Sequence, residues 1–260
     1  MGYLFLMNKN SNIIAIVGKG GVGKTALSAS LARVLTLQGQ NPLLIDADPA
    51  QGLTYLMGFG PDHKTIGLVR DEIIETARVK GKDAKEEIAA MFDYLVAETL
   101  AEKNNFSLLA MGRGQAKGCF CPLNNLLRQA IESLSRNFPY VLIDAEAGIE
   151  QINREVIRSV THLIILIDLS FRSIAVAEKI QETLKRLLID CRLGVVANRS
   201  SGDSSRIRES LGVKGIETWG IIPEDPVLRE NDLQGKSIFD LPENSAMLIA
   251  AHQIVERIKS

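Results

Sequence analysis

Short runs of Ile, Leu and Val recur along the chain, and longer segments with apolar residues at helical spacing lie between them. The runs are IIAIVG (13–18), PLLIDA (42–47), FSLLAMG (106–112), YVLIDA (140–145), HLIILIDL (162–169), LGVVANR (193–199) and TWGIIP (218–223). A strand that is apolar at consecutive positions is buried on both faces, which is the form taken by parallel strands covered by helices on each side. The pattern therefore predicts an α/β, doubly wound, mostly parallel sheet of about seven strands, all within a single domain spanning 1–260.

Residues 60–105 interrupt the alternation and read as a helical insertion, with IGLVRDEIIETARVKGKDAKEEIAAMFDYLVAETLAEK as its helical part. Ile88, Met91, Phe92, Leu95 and Val96 fall on one helical stripe that predicts a buried face. The closing NSAMLIAAHQIVERIKS predicts a last helix capped near Asn244 and Ser245. Its apolar positions suit a core, since a helix lying on a membrane surface carries a strongly basic polar face. Residues 1–11 are expected to be a flexible extension without the basic start and long apolar stretch of a signal peptide, and Met7 is an alternative start.

Composition narrows the choice of partners. The 260 residues are 46% hydrophobic and 23% charged, enough to bury a substantial core. Net charge is -1 without a run of Lys and Arg, so neither nucleic acid nor a membrane is an expected partner. Three cysteines in a chain of this length fit a reducing, cytoplasmic setting.

GKGGVGKT (18–25) follows the first strand and opens a helix, the context in which this pattern forms a phosphate-binding loop. Gly18, Gly20, Gly21 and Gly23 let backbone N–H groups converge on phosphate oxygens, with Val22 and Ala26 completing the segment, and the helix N-terminus adds partial positive charge. Lys24 is placed to reach the β and γ phosphates, and the Thr25 hydroxyl to ligate Mg2+.

With Lys19 directly after the first glycine, the loop resembles the deviant Walker A of the ATPase group that includes MinD, ParA and the nitrogenase iron protein. In that family this lysine crosses a dimer interface to the partner's nucleotide, which implies a nucleotide-dependent homodimer here. LLIDADPAQ then resembles switch I, with Asp48 orienting the attacking water and Asp46 close to Mg2+. YVLIDAEAG resembles Walker B, with Asp144 near the metal and Gly148 sensing the γ-phosphate. By the same resemblance Lys19, Lys24 and Asp48 are catalytic. Asn198 and Arg199 end the adenine-reading strand, and Pro223 and Glu224 form the other wall. An Asn amide can donate to and accept from a purine edge. The implied nucleotide is ATP, in keeping with the lack of an N/T-K-x-D guanine motif.

AKGCFCPLNN (116–125) brings Cys119 and Cys121 within one residue of each other. A disulfide across that spacing is strained, and two thiolates are too few for a tetrahedral metal site. A two-fold dimer doubles them to four. In an extended segment both side chains point to one face, and Pro122 suits the first position of the following helix. The alternative is a pair of small residues buried under a loop. Cys191 reads as a core residue.

GCFC, together with DAEAGIEQINRE (144–155), narrows the resemblance to the CooC-type accessory ATPases of nickel carbon monoxide dehydrogenase. That resemblance implies a metallochaperone whose Ni2+ or Zn2+ is held by paired C-x-C motifs at the dimer interface, with carbon monoxide dehydrogenase as client. A MinD/ParA-like spatial organiser and an iron-sulfur carrier or reductase are the other readings, because thiolates ligate zinc, nickel and clusters alike.

Overall fold

The computed structural model describes residues 11–60, 62–80, 94, 96–103, 105–112, 129, 131, 133–145, 159–168, 170–200, 208, 209, 212 and 215–260. In chain order they form β1 (Asn12–Val17), α1 (Lys24–Leu37), β2 (Leu43–Asp46), α2 (Gly52–Leu56), α3 (Ile66–Lys80), β3 (Leu100–Lys103), β4 (Phe106–Ala110), β5 (Tyr140–Asp144), β6 (His162–Ile167), α4 (Phe171–Leu187), β7 (Arg192–Ala197), β8 (Thr218–Ile221), α5 (Pro226–Leu233) and α6 (Ala246–Lys259). The strands make one eight-stranded sheet in the order β3-β4-β2-β5-β1-β6-β7-β8. Every pairing is parallel except that of β3 with β4.

The doubly wound reading holds, and all seven expected strands are present. The eighth, β3, is a correction, because LAEK lies in the segment expected to be helical. Here Thr99 ends a turn, its N–H and hydroxyl both donating to the Val96 carbonyl, and the chain reverses into the strand. Leu100 and Ala101 are half-buried while Glu102 and Lys103 are exposed, so the composition carries no strand signal. The open edge of β4 makes the choice by supplying backbone hydrogen bonds, and the charged residues blunt the new edge. Of the expected stripe, Val96 is buried. Ile88, Met91, Phe92 and Leu95 lie outside the described residues, as does the extension up to residue 10.

Successive residues of each central strand enter opposite core layers. Ile13, Ala15 and Val17 of β1 join the layer beneath α3 and α4, whereas Ile14 and Ile16 join the one beneath α1 and α6. Two-sided burial with a period of two is why these strands are apolar at every position. The last helix starts where expected, with the Ser245 hydroxyl accepting from the Leu248 N–H, and Leu248, Ala251, Ile254 and Val255 are buried in the α1 layer. Cys191 is half-buried at the margin of the other layer, where burial raises its thiol pKa.

Two specific contacts, one polar and one steric, fix the layer of α1. The buried Arg33 guanidinium donates to the Ile238 and Leu241 carbonyls, tying α1 to the segment before α6. Gly194 of β7 lets Trp219 of β8 lie flat on the strand, since a Cβ there would sit 2.0 Å from the indole Cδ2. Glycine inside a strand is costly unless something approaches closely, and here the indole does.

Gly194→Ala is accordingly expected to lower stability by about 1–3 kcal/mol through overpacking against Trp219. Gly60→Ala, whose new Cβ meets nothing within 4 Å, serves as the control in urea denaturation and leaves stability unchanged.

Candidate functional site

β1 ends at Val17, and the chain turns through residues 18–23 into α1 across the ends of β6 and β7. Gly18 has φ 148°, and a Cβ on it would lie 2.2 Å from the Leu166 carbonyl oxygen of β6. Gly23 has φ 97°, and its Cβ would meet Asn198 Nδ2 at 2.6 Å. Neither position admits a side chain, so the loop lies as close to the sheet as backbone allows. Gly23 caps the 14-residue α1 with no side-chain hydrogen bond and no acidic residue in the first turn. The N–H groups of that turn face the loop, an arrangement suited to an anion.

Lys24 is buried, and its ammonium donates to the Gly18 carbonyl at 3.2 Å and the Lys19 carbonyl at 3.3 Å, arching back over the loop. Lys19 is turned toward β6, with Nζ 3.6 Å from the Asp168 carboxylate. Asp168 also accepts from the Ser170 hydroxyl and N–H. The Ser170 hydroxyl is the main reason its pKa is pushed down to about 2, with Lys19 adding a smaller effect. HLIILIDL reads through Asp168 as strand and does not mark it as a site residue. Its position, one residue past the end of β6 and beside the loop, is the signal that could have found it.

The carboxylates expected to serve Mg2+ lie on neighbouring strands in exact register, Asp46 of β2 beside Asp144 of β5. Asp144 accepts from the Thr25 and Ser28 hydroxyls, the latter at 3.2 Å. Asp46 accepts from the Thr54 N–H at 2.8 Å, the Thr54 hydroxyl at 2.7 Å and the Asp48 N–H at 3.2 Å. Burial pushes the Asp144 pKa up to about 7, helped by the charge of Asp46 and opposed by Thr25, Ser28 and Lys24. Burial raises Asp46 as well. Two buried carboxylates beside a threonine hydroxyl form an all-oxygen set with a deficit of positive charge, so Thr25, Asp46 and Asp144 fit a hard divalent cation such as Mg2+. Within that set Asp46 has a second task, because through Thr54 and Asp48 it shapes the turn from β2 into α2.

Asp48 stands on this turn, with Oδ1 accepting from the Ala50 N–H at 2.8 Å. At the other side of the loop, the Asn198 amide, 4% exposed, donates to the Val22 carbonyl at 2.7 Å and accepts from the Arg199 N–H. Arg199 has φ 53° and reaches the Gly21 carbonyl at 3.3 Å. Pro223 and Glu224 are exposed just past β8, the strand next to β7. Asp225 anchors them, accepting from the Leu228 N–H of α5 and the Met247 N–H of α6. The fold thus gathers Gly18 to Ala26, Asp46, Asp48, Asp144, Asn198, Arg199, Pro223 and Glu224 at the C-terminal edge of the sheet. Gly148, Cys119 and Cys121 lie outside the described residues. Among the described residues no three His, Cys, Asp or Glu side chains are grouped to hold a metal, and no helix is long and apolar enough to cross a membrane.

Residues 13–238 match the family described as the CobQ/CobB/MinD/ParA nucleotide binding domain. The uncharacterized ATP-binding protein MJ0685 of Methanocaldococcus jannaschii is 33% identical over 95% of this chain and 98% of its own length. The carbon monoxide dehydrogenase accessory protein CooC of Rhodospirillum rubrum is 31% identical over 88% of this chain and 89% of its own. The structure of the septum site-determining protein MinD from Pyrococcus horikoshii, complexed with Mg-ADP, superposes with a TM-score of 0.71. At 22% identity over 96% of each chain, that likeness is one of fold. With the loop, the paired carboxylates and most of its length matched, the chain belongs to the CobQ/CobB/MinD/ParA family of nucleotide-binding proteins.

Proposed function

We propose that the protein is a dimeric, ATP-hydrolysing metallochaperone that assists nickel insertion into a carbon monoxide dehydrogenase. The observation that carries the hydrolytic part is the linked set Thr25, Asp144, Asp46 and Asp48 beside the phosphate loop. The choice of client is supported by the 31% identity with CooC and by the C-x-C of Cys119 and Cys121.

In this reading the loop amides and Lys24 bind the β and γ phosphates of ATP, with Lys24 leaving the loop carbonyls it now contacts. Mg2+, when bound, neutralises phosphate charge in the way carboxylate-held cations do in phosphoryl transfer. Thr25 and Asp144 hold that cation, and Asp46 fixes the backbone of Asp48 from one layer further out. Asp48 directs water at the γ-phosphate through the carboxylate oxygen that does not accept from Ala50. Lys19 exchanges Asp168 for the nucleotide of a second copy, so closure of the dimer and readiness for hydrolysis coincide. Cys119 and Cys121 of two copies supply four thiolates for the Ni2+ or Zn2+ cargo.

A spatial organiser of the MinD kind is the second reading, favoured by the likeness of fold to MinD structures. Its membrane-bound form needs an apolar helix face to spare, and the apolar face of α6 is buried against α1.

Asp48→Ala is expected to retain ATP binding while hydrolysis falls at least about 100-fold, the scale of losing a group that orients a reactant. Wild-type turnover in phosphate-release assays would place switch I elsewhere. The raised pKa of Asp144 has a definite sign. Between its ordinary 3.8 and about 7 the folded chain holds the proton more tightly than the unfolded one, so ligand-free stability falls as pH rises through that window. Asp144→Asn should therefore melt above wild type at pH ~8 and level with it near pH ~4, while binding Mg2+ and nucleotide more weakly. Equal melting temperatures at both pH values would remove the buried charge from the account. Metal titration with sedimentation tests the cargo site, with about one Ni2+ or Zn2+ expected per wild-type dimer. Changing Cys119 and Cys121 to Ser abolishes that binding and spares ATP binding, and Cys191→Ser alters neither. Retention of the metal by the double variant would favour the spatial organiser.

A further inference from the structure

The family resemblance implies an adenine-reading role for Asn198, yet its amide already has a task within the protein. It is buried at the end of β7, whose backbone is set by the bond from the Asn198 N–H to the Ile167 carbonyl of β6 at 2.8 Å. From there the side chain donates to the Val22 carbonyl at 2.7 Å, and its other end is fixed by accepting from the Arg199 N–H at 2.9 Å. Gly23, the residue after Val22, has no Cβ, and one would lie 2.6 Å from this amide nitrogen. The next side chain, Arg199, reaches the Gly21 carbonyl at 3.3 Å from a backbone in the left-handed region, φ 53°, which a non-glycine residue seldom adopts without cause. Two consecutive residues just past β7 therefore grip two adjacent carbonyls of the phosphate loop, those of Val22 and Gly21. Turning those carbonyls toward the end of β7 leaves the N–H groups of Val22 and Gly23, which belong to the same peptide units, facing the opposite way, toward the phosphates, since the two ends of each peptide unit point in opposite directions.

We propose that Asn198, assisted by Arg199, is a positioning residue for the phosphate loop, holding the Gly21–Gly23 backbone in its anion-binding form whatever base the ligand carries. The inference rests on the reading of this loop as a nucleoside triphosphate site and assigns the end of β7 a role in affinity for the polyphosphate itself. The Asn amide has one N–H and one acceptor lone pair remaining for a base, so contact with adenine is an addition to the clamp and not a replacement for it.

The test uses the full chain with Mg2+ and three probes measured by calorimetry: ATP, GTP and inorganic triphosphate, which has no base. Asn198→Leu keeps the side-chain shape and removes both the donor and the acceptor without adding charge. Expected is a loss of affinity of about tenfold, the same factor for all three probes, from unmaking one buried hydrogen bond. The ratio of ATP to GTP affinity stays at its wild-type value. Circular dichroism at the temperature of titration verifies that the variant is folded, and Asn198→Ala replaces it if it is not. A loss confined to ATP, with triphosphate unaffected, would overturn the clamp in favour of base reading alone. Retention of all three affinities with only a lower melting temperature would overturn it in favour of a purely structural contact. Failure of wild-type protein to bind ATP or triphosphate would instead strike the proposed function, so the two failures are distinguishable.

Discussion

Two carboxylates buried side by side at one edge of the sheet are the constraint around which the rest is arranged. Parallel pairing places Asp46 and Asp144 at the same level of adjacent strands, and the covering helices take both from water. Burial of ionised groups is tolerated only with hydrogen bonds or compensating charge. Every nearby polar group answers that need: Thr54 and the Asp48 N–H for one carboxylate, Thr25 and Ser28 for the other, with Lys24 close by. The residual cost is visible in the raised pKa of both groups, and a bound divalent cation would remove it.

The second constraint is distance. The phosphate loop must cross the ends of β6 and β7 within contact of their backbone and side chains, and Gly18 and Gly23 have no room for a Cβ there. Loop and sheet are thereby one unit, and the strands that flank β1 determine which loop groups face outward. Lys19, at the outer rim, is held differently. Its partner Asp168 is firmly ionised, but both side chains are more than a third exposed. An exposed pair of this type contributes little to stability, so it orients the lysine without committing it.

Much of this was legible in the chain. The seven buried strands announce themselves because burial on both faces leaves no polar positions to obscure them, and the loop motif is recognisable because its glycines answer a local steric demand. The last helix was legible from Ser245 and a periodic apolar face. β3 was not, because an edge strand of four residues with two charged side chains has no intrinsic preference that separates it from the end of a helix.

Seven of the eight strands, the loop and the identity of the groups that can meet a phosphate and a cation follow from the sequence alone, since those depend on local periodicity and residue chemistry. How these groups share their work is settled by long-range packing. It set Asp46 in register with Asp144, gave Asp46 to Thr54 and Asp48, turned Lys19 onto Asp168 and engaged Asn198 with Val22. Apart from the local Asp46–Asp48 contact, these pairings join residues 8 to 176 positions apart in the chain and arise from strand order and hydrogen-bond geometry, which no local pattern encodes.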